Sequence, residues 1–306
     1  MFEGSMASAG SNPPQDDVSL VVVLLDTNPF FWASATSSGQ ASSLTFSQFL
    51  EHVLAFFNSL LLLHQMNQLV VIGTGTNSCE FIYDSSTTNS EYKKSKDTKC
   101  SQEFLTPSTI IVQQLEDFVR RDQALNTNNN ATKNIHSLLS GSLSMALCYI
   151  QRIIRGGPSH PQPRILCLQG SPDGPQQYVA IMNAIFSAQR SMVPVDSCIV
   201  GSQHSAFLQQ ASHITGGIYL KPQQLEGLFQ FLAMVFATDL HSRRFLQLPR
   251  PTGVDFRASC FCHKKTIDMG YVCSVCLSIF CEHSKKCSTC ESTFNQKPPS
   301  GQKRKD

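Results

Sequence analysis

Two rhythms of hydrophobic and polar positions run along the chain. Val18–Leu25 is an apolar run, rich in valine, interrupted only by Ser19 and ending at Asp26. It predicts a strand buried on both faces, as in a parallel sheet. After a Ser/Thr/Gly loop, Phe46, Phe49, Leu50, Val53, Leu54, Phe57, Leu60 and Leu61 recur at spacings of 3, 4 and 7. That spacing predicts an amphipathic helix, and Thr45 with Gln48 three residues on supplies a capping box. Leu69–Ile72 predicts a second strand, stopped by Gly73-Thr74-Gly75, and Glu80–Tyr83 a third. Asp84–Lys99, rich in Ser, Thr and Lys, reads as a surface loop or insertion. Helical periodicity returns at Ile110–Leu125 and again from Leu139 to Ile154, with Asn126–Asn130 as the loop between them. Gly156-Gly157-Pro158 stops the second of these helices. Strands at Arg164–Leu168, Val195–Val200 and Gly217–Leu220 then alternate with helices at Tyr178–Phe186, Ser205–Ala211 and Leu225–Phe236, the last with Pro222 near its start. Strands alternating with helices predict a doubly wound α/β domain over 18–240, with a mostly parallel sheet.

Outside that domain the rhythm stops. Residues 1–17 are small and polar and are expected to be disordered. Residues 241–259, broken by Pro249, Pro251 and Gly253, read as a linker; 260–291 form a cysteine-rich module, and 292–306 a basic polar tail. Charge sharpens the division. The chain of 306 residues has a formal net charge of only +2 and is 41% hydrophobic and 15% charged, against about 25% charged in an average domain. That balance excludes a disordered polyelectrolyte and whole-surface electrostatic binding of nucleic acid. From Cys260 onward eight Lys and Arg face four Asp and Glu, so a modest attraction to phosphate lies at the C-terminus. No basic leader precedes the first strand, and neither Val18–Leu25 nor Val53–Leu63 is long enough to span a bilayer. The expectation is an intracellular protein without a membrane partner, in which the acceptor pattern Asn130-Ala131-Thr132 stays unmodified.

Cysteine placement carries the chemistry. Cys79, Cys100, Cys148, Cys167 and Cys198 are scattered, mostly in apolar stretches where a thiol acts as a small hydrophobe. The other seven of the twelve lie between Cys260 and Cys290, which in a reducing compartment points to metal. Cys273-Ser-Val-Cys276 and Cys287-Ser-Thr-Cys290 are two knuckles separated by ten residues, together the four-sulfur shell that zinc (Zn²⁺) prefers. Cys260-Phe-Cys262-His263 offers a third ligand pair, and Cys281 with His283 a fourth. Four pairs in order permit a cross-braced, RING-like arrangement with a possible second zinc on Cys260, Cys262, His263 and Cys281. Its fourth ligand is open between His263 and His283, with one of the thiols as a possible non-ligand. A module of ~30 residues cannot fold on its core alone, so one or two structural zinc ions are expected, with no open position for catalysis.

Asp26-Thr27-Asn28 lies at the C-terminal end of the first strand, where open α/β sheets bind ligands. A von Willebrand A-type domain builds a Mg²⁺ site there from an aspartate and two serines. Here Asn28 and Phe30 occupy the serine positions, and a phenyl ring binds no cation. With Asp173 the only further candidate, a degenerate, metal-free cation site at Asp26 and Asn28 is expected. A PIN-type nuclease begins similarly but needs converging carboxylates. Glu51 lies off the apolar face of its helix, leaving only Asp117 and Asp196. Otherwise Asp26 is a strand-end residue capping a turn. Gly73-Thr74-Gly75 lacks a dinucleotide fingerprint, no nucleophile elbow occurs, and His52, His64, His136 and His213 stand alone.

The first-strand aspartate without its serines, the long α/β domain and the CFCH…CSVCLSIFC…CSTC tail together resemble one family. It is the smaller von Willebrand A-type subunit of general transcription factor IIH, the Tfb-four family. The resemblance runs from Val18 to Cys290. It is most specific at Tyr271–Cys281, extends to Gly201–Leu220, and lapses in the N-terminal segment, in Asp84–Lys99 and in the tail. It implies a nuclear, non-catalytic subunit of the IIH core, acting in RNA polymerase II initiation and nucleotide excision repair. The implied partner is the other von Willebrand A-type subunit, bound through its zinc-containing C-terminal domain, with support for helicase regulation. The alternatives are a PIN-like metal-dependent nuclease with a zinc ribbon and a RING-like ubiquitin ligase.

Overall fold

The strand nearest the N-terminus is the centre of the fold. In the computed structural model, which describes residues 18–37, 44–86, 106–128, 136–156, 161–249, 254, 256–263 and 266–294, β1 (Ser19–Asp26) is buried along its whole length. It pairs in parallel with β2 (Gln68–Thr74) on one side and β4 (Gln162–Gln169) on the other, Val22 lying level with Val70 and Ile165. Successive side chains point to opposite faces. Val21, Val23 and Leu25 enter one apolar layer and Leu20, Val22 and Leu24 the other, which is why the run shows no polar alternation. β3 (Cys79–Asp84) joins β2 antiparallel, while β5 (Val195–Ile199) and the two-residue β6 (Tyr219–Leu220) continue the sheet in parallel. The strand order is β3-β2-β1-β4-β5-β6, so the winding reverses between β1 and β4. Their C-terminal ends flank a crevice.

Helices cover both faces. One layer holds α1 (Pro29–Ser37), α2 (Phe46–Leu63), α3 (Pro107–Asn128) and α7 (Leu228–Phe236). The other holds α4 (Leu139–Gly156), α5 (Tyr178–Arg190) and α6 (Ala206–Thr215). α2 carries the expected capping box at Thr45, and buries Phe49, Val53, Phe56, Phe57 and Leu60. It is long and apolar enough by composition to cross a membrane, but that apolar face packs against β2 and α7.

Three differences from the sequence reading stand out. The chain forms α1 straight after β1, where a loop is expected: Pro29 presets the first helical turn and the Asn28 side chain accepts from the Phe30 amide at 3.0 Å. α3 runs on to Asn128, into the expected loop. The last helix begins at Leu228, after a 3₁₀ turn at Leu225–Gly227. The expectations for residues 1–17, for most of Asp84–Lys99 and for the tail beyond residue 294 lie outside the described residues.

Candidate metal centre

Beyond the domain, the chain is organised by four two-residue strands. β7 (Ala258–Ser259) pairs with β8 (Thr266–Ile267), and β9 (Tyr271–Val272) with β10 (Ile279–Phe280). The two knuckles have the same construction. Leu277 N–H donates to Cys273 O at 2.9 Å and Glu291 N–H to Cys287 O at 3.0 Å. Cys273 N–H donates to Ser278 O at 2.9 Å and Cys287 N–H to Ser292 O at 2.8 Å. Leu277 and Glu291, each following its second cysteine, take the left-handed backbone at φ 59° and 62°. The matching signal was in the chain: Cys-Ser-x-Cys-x-Ser occurs at both Cys273 and Cys287. Its terminal serines, Ser278 and Ser292, escaped the sequence reading. The Ser278 hydroxyl lies 3.0 Å from Cys276 Sγ; that of Ser292 lies 3.0 Å from Cys290 Sγ and 3.4 Å from Cys273 Sγ. The Ser292 hydroxyl beside it is the main reason the Cys273 thiol is pulled down to about 6.

The geometry brings together two quartets of donors, Cys273, Cys276, Cys287 and Cys290 in one, and Cys260, Cys262, His263 and Cys281 in the other, with all donor atoms of a quartet within 4.8 Å of one another. Counted along the chain, Cys260, Cys262 and His263 thus meet Cys281 across the first knuckle, and Cys273 with Cys276 meets Cys287 with Cys290 across Cys281, the interleaving a cross-brace requires. Cys273 Sγ lies 3.7 Å from Cys290 Sγ, and Cys276 Sγ 3.5 Å from Cys287 Sγ. Bonds of 2.3 Å from sulfur to a tetrahedral zinc imply S···S edges of about 3.8 Å, so the first quartet fits that ion in both chemistry and size. In the second, Cys281 Sγ lies 3.4 Å from Cys262 Sγ and 3.1 Å from His263 Nδ1. His283 sits apart, its ring edge-on to Tyr271 at 5.5 Å. Replacing Ser292 by alanine removes a hydroxyl shared by two sulfurs. It should weaken zinc binding about tenfold in a chelator competition, with the fold of the α/β domain unchanged.

The crevice at the sheet's switch point is built differently. Asp26 is 1% exposed, and its Oδ2 accepts from the amides of Gly170 at 3.0 Å and Ser171 at 2.6 Å, its Oδ1 from Asn28 N–H at 3.1 Å. Burial pushes its carboxyl up, against the pull of these amide donors. Asn28 Nδ2 donates to Ser171 Oγ at 2.9 Å, and the Trp32 indole donates to Asp26 O at 3.1 Å. Glycine at 170 leaves room for the Phe31 ring, which any side chain there would force to move. Donors therefore already occupy the oxygens a cation would need, and Phe30 and Phe31 stand along the crevice wall. Asp26→Ala would strand three buried amides, and a loss of about 2–3 kcal/mol in denaturant unfolding is expected.

Among the described residues, the other acidic candidates do not converge on Asp26. Asp173 caps α6, accepting from Ser205 Oγ at 2.5 Å and Phe207 N–H at 3.2 Å. Asp117 pairs on the surface with Arg120 at 3.4 Å, and Glu51 is exposed. Asp196 is level with Val23 of β1 and two strands away, held by Arg243. The crevice has a volume of about 560 Å³ between Trp32, Leu44, Val200, His204 and Lys221, and none of the described residues lining it is acidic.

The comparisons with known proteins agree with this architecture. A family model described as transcription factor Tfb4 matches residues 18–291. The chain is 63% identical over 293 residues to the Arabidopsis thaliana general transcription and DNA repair factor IIH subunit TFB4, covering 95% of this chain and 94% of that one. The Dictyostelium discoideum general transcription factor IIH subunit 3 is 46% identical over 82% of this chain and 69% of its own length. The Schizosaccharomyces pombe subunit tfb4 is 34% identical, with 95% and 93% covered. Among solved structures, the TFIIH p34 N-terminal domain superposes with a TM-score of 0.52 at 25% identity, over 71% of this chain and 98% of that one. The doubly wound sheet with its strand-end aspartate is thus the von Willebrand A-like domain that the sequence reading expects, and a cysteine module follows it. From Val18 to Glu291 the chain is a member of the transcription factor Tfb4 family.

Proposed function

We propose that the chain is a non-catalytic structural subunit of the transcription factor IIH core complex, acting in the nucleus in RNA polymerase II initiation and nucleotide excision repair. The carrying observation is that the carboxylate at the sheet's switch point is consumed internally by three backbone amides, so the place where this fold does chemistry or binds a cation serves the scaffold instead. Relatives named as subunits of a IIH factor support the same reading. The partner is the other von Willebrand A-type subunit, bound through its zinc-containing C-terminal domain, and helicase regulation follows from that assembly. The two quartets each hold one zinc ion. Four protein donors per ion leave no position for water, so bound zinc would contribute folding energy alone. Met269, Tyr271, Val272, Val275 and Leu277 are exposed around the first knuckle, the kind of apolar surface that a partner covers. Neither the nuclease nor the ubiquitin-ligase alternative gains support, the first because the carboxylates do not converge, the second because the relatives carry a different name.

The test is a tagged pull-down from nuclear extract with stoichiometry read by mass spectrometry. Recovery in one-to-one ratio with transcription factor IIH subunits is expected. Recovery of the chain alone would overturn the reading.

A further inference from the structure

The stretch between the domain and the cysteine module does not leave the domain freely. Arg243, in a 3₁₀ turn at Ser242–Phe245, is locked to Asp196, and Leu248 packs against the same layer as α2 and α7. Eight residues later the chain is on the opposite face of the sheet: the Phe256 ring meets His213 of α6 edge-on at 5.1 Å. Phe261 then meets Tyr178, the first residue of α5, edge-on at 6.4 Å and 85°, and Tyr178 in turn packs on Phe207 at 5.7 Å. Phe261 stands between Cys260 and Cys262, two donors of the second quartet, and its N–H donates to Ile279 O at 2.8 Å. The apolar cluster of the module itself is built on Cys273, Phe280 and Cys287, and Phe261 packs, partly buried, against it, so its ring lies between that cluster and Tyr178.

We infer that the α5/α6 face is the docking site of the chain's own cysteine module, with Phe261 as the contact and the second quartet as the device that aims it. The inference rests on the reading of that quartet as a zinc site. Zinc on Cys260, Cys262, His263 and Cys281 would fix the backbone on both sides of Phe261, so the ring reaches Tyr178 already oriented and loses little freedom on docking. Each aromatic pair is weak by itself. The interval of eight residues from Leu248 to Phe256 makes the encounter intramolecular at high effective concentration, so weak pairs suffice to hold the module and still let it go. The module is thereby presented in one orientation relative to the sheet, rather than on a free tether.

Hydrogen exchange on the full zinc-loaded chain tests this, alongside zinc counted by chelator release. Tyr178→Ala touches no metal donor, and should speed exchange of the amides of residues 256–263 about tenfold, the change expected from losing one aromatic pair in a docking equilibrium. Tyr178→Phe, which keeps the ring, should restore wild-type exchange, and Phe261→Ala should reproduce the alanine effect. Unchanged exchange at residues 256–263 in Tyr178→Ala, with two zinc ions retained, would overturn the docking inference alone. Fewer than two zinc ions in the wild-type chain would overturn the metal reading on which it rests, whatever the exchange shows.

Discussion

Serine at both Cys273 and Cys276 is expected to unfold the C-terminal module and leave the α/β domain standing. Among the described residues, the module's buried apolar cluster is Cys273, Phe280 and Cys287, and two of those three belong to the quartet that could hold a metal ion. Burial of one phenyl ring contributes about 2–3 kcal/mol, while a structural zinc contributes roughly 10–16 kcal/mol of apparent binding energy that becomes folding energy. Ordering some thirty residues costs far more than the ring returns, so metal decides the outcome. Among the described residues, neither apolar layer of the sheet includes one beyond Leu248, so the domain has no reason to follow. Chelator titration should count at least one zinc fewer per chain. Trypsin should cut at Lys285 and Lys286 within the module, while the far-ultraviolet helical signal persists. A double variant that keeps its full zinc and resists trypsin would contradict the assignment of these donors.

The parts of this molecule that were legible in its sequence are those whose cause is local. β1 could be read because both of its faces are buried, so every residue from Leu20 to Leu25 is apolar. α2 could be read because eighteen residues hold one apolar stripe and a capping box. The knuckles could be read because zinc geometry demands donors at fixed short spacing. α1 was hidden because nine residues show too few turns to reveal a period, and its start depends on Asn28 accepting from Phe30. The amides that fill the Asp26 site come from Gly170 and Ser171, more than 140 residues away, and an amide has no letter in the sequence. Ser278 and Ser292 were legible in principle, since the repeat of Cys-Ser-x-Cys-x-Ser marks them, but a search for metal donors passes over hydroxyls. Arg243 lay where Pro249, Pro251 and Gly253 erase periodicity, and its partner is 47 residues upstream.

That pair gives the largest expected effect within the α/β domain. Asp196 is 1% exposed and accepts from Arg243 at 2.6 and 2.9 Å, with a further bond from Ile218 N–H at 2.9 Å. Arg164 lies in the same buried pocket, 1% exposed, giving its Nη1–H to Thr238 O at 2.7 Å. Burial, with Arg243 adding to it and Asp196 opposing, pushes the Arg164 guanidinium down to about 10, so Arg164 stays cationic at neutral pH. Asp196→Ala therefore leaves two buried cations without their carboxylate, and unfolding in urea should show a loss of about 3–5 kcal/mol, or roughly 10 °C in Tm. Arg243→Ala removes one cation and one partner together. Asp196 then retains the Ile218 amide and the nearby Arg164 charge, so the loss should be smaller, about 2 kcal/mol. Combining the two substitutions should cost less than their sum, because the Arg243 charge that Asp196→Ala strands is itself gone. Full additivity in that cycle would mean that the two side chains act independently, and that the buried pair does not hold the chain's exit from α7 against the sheet.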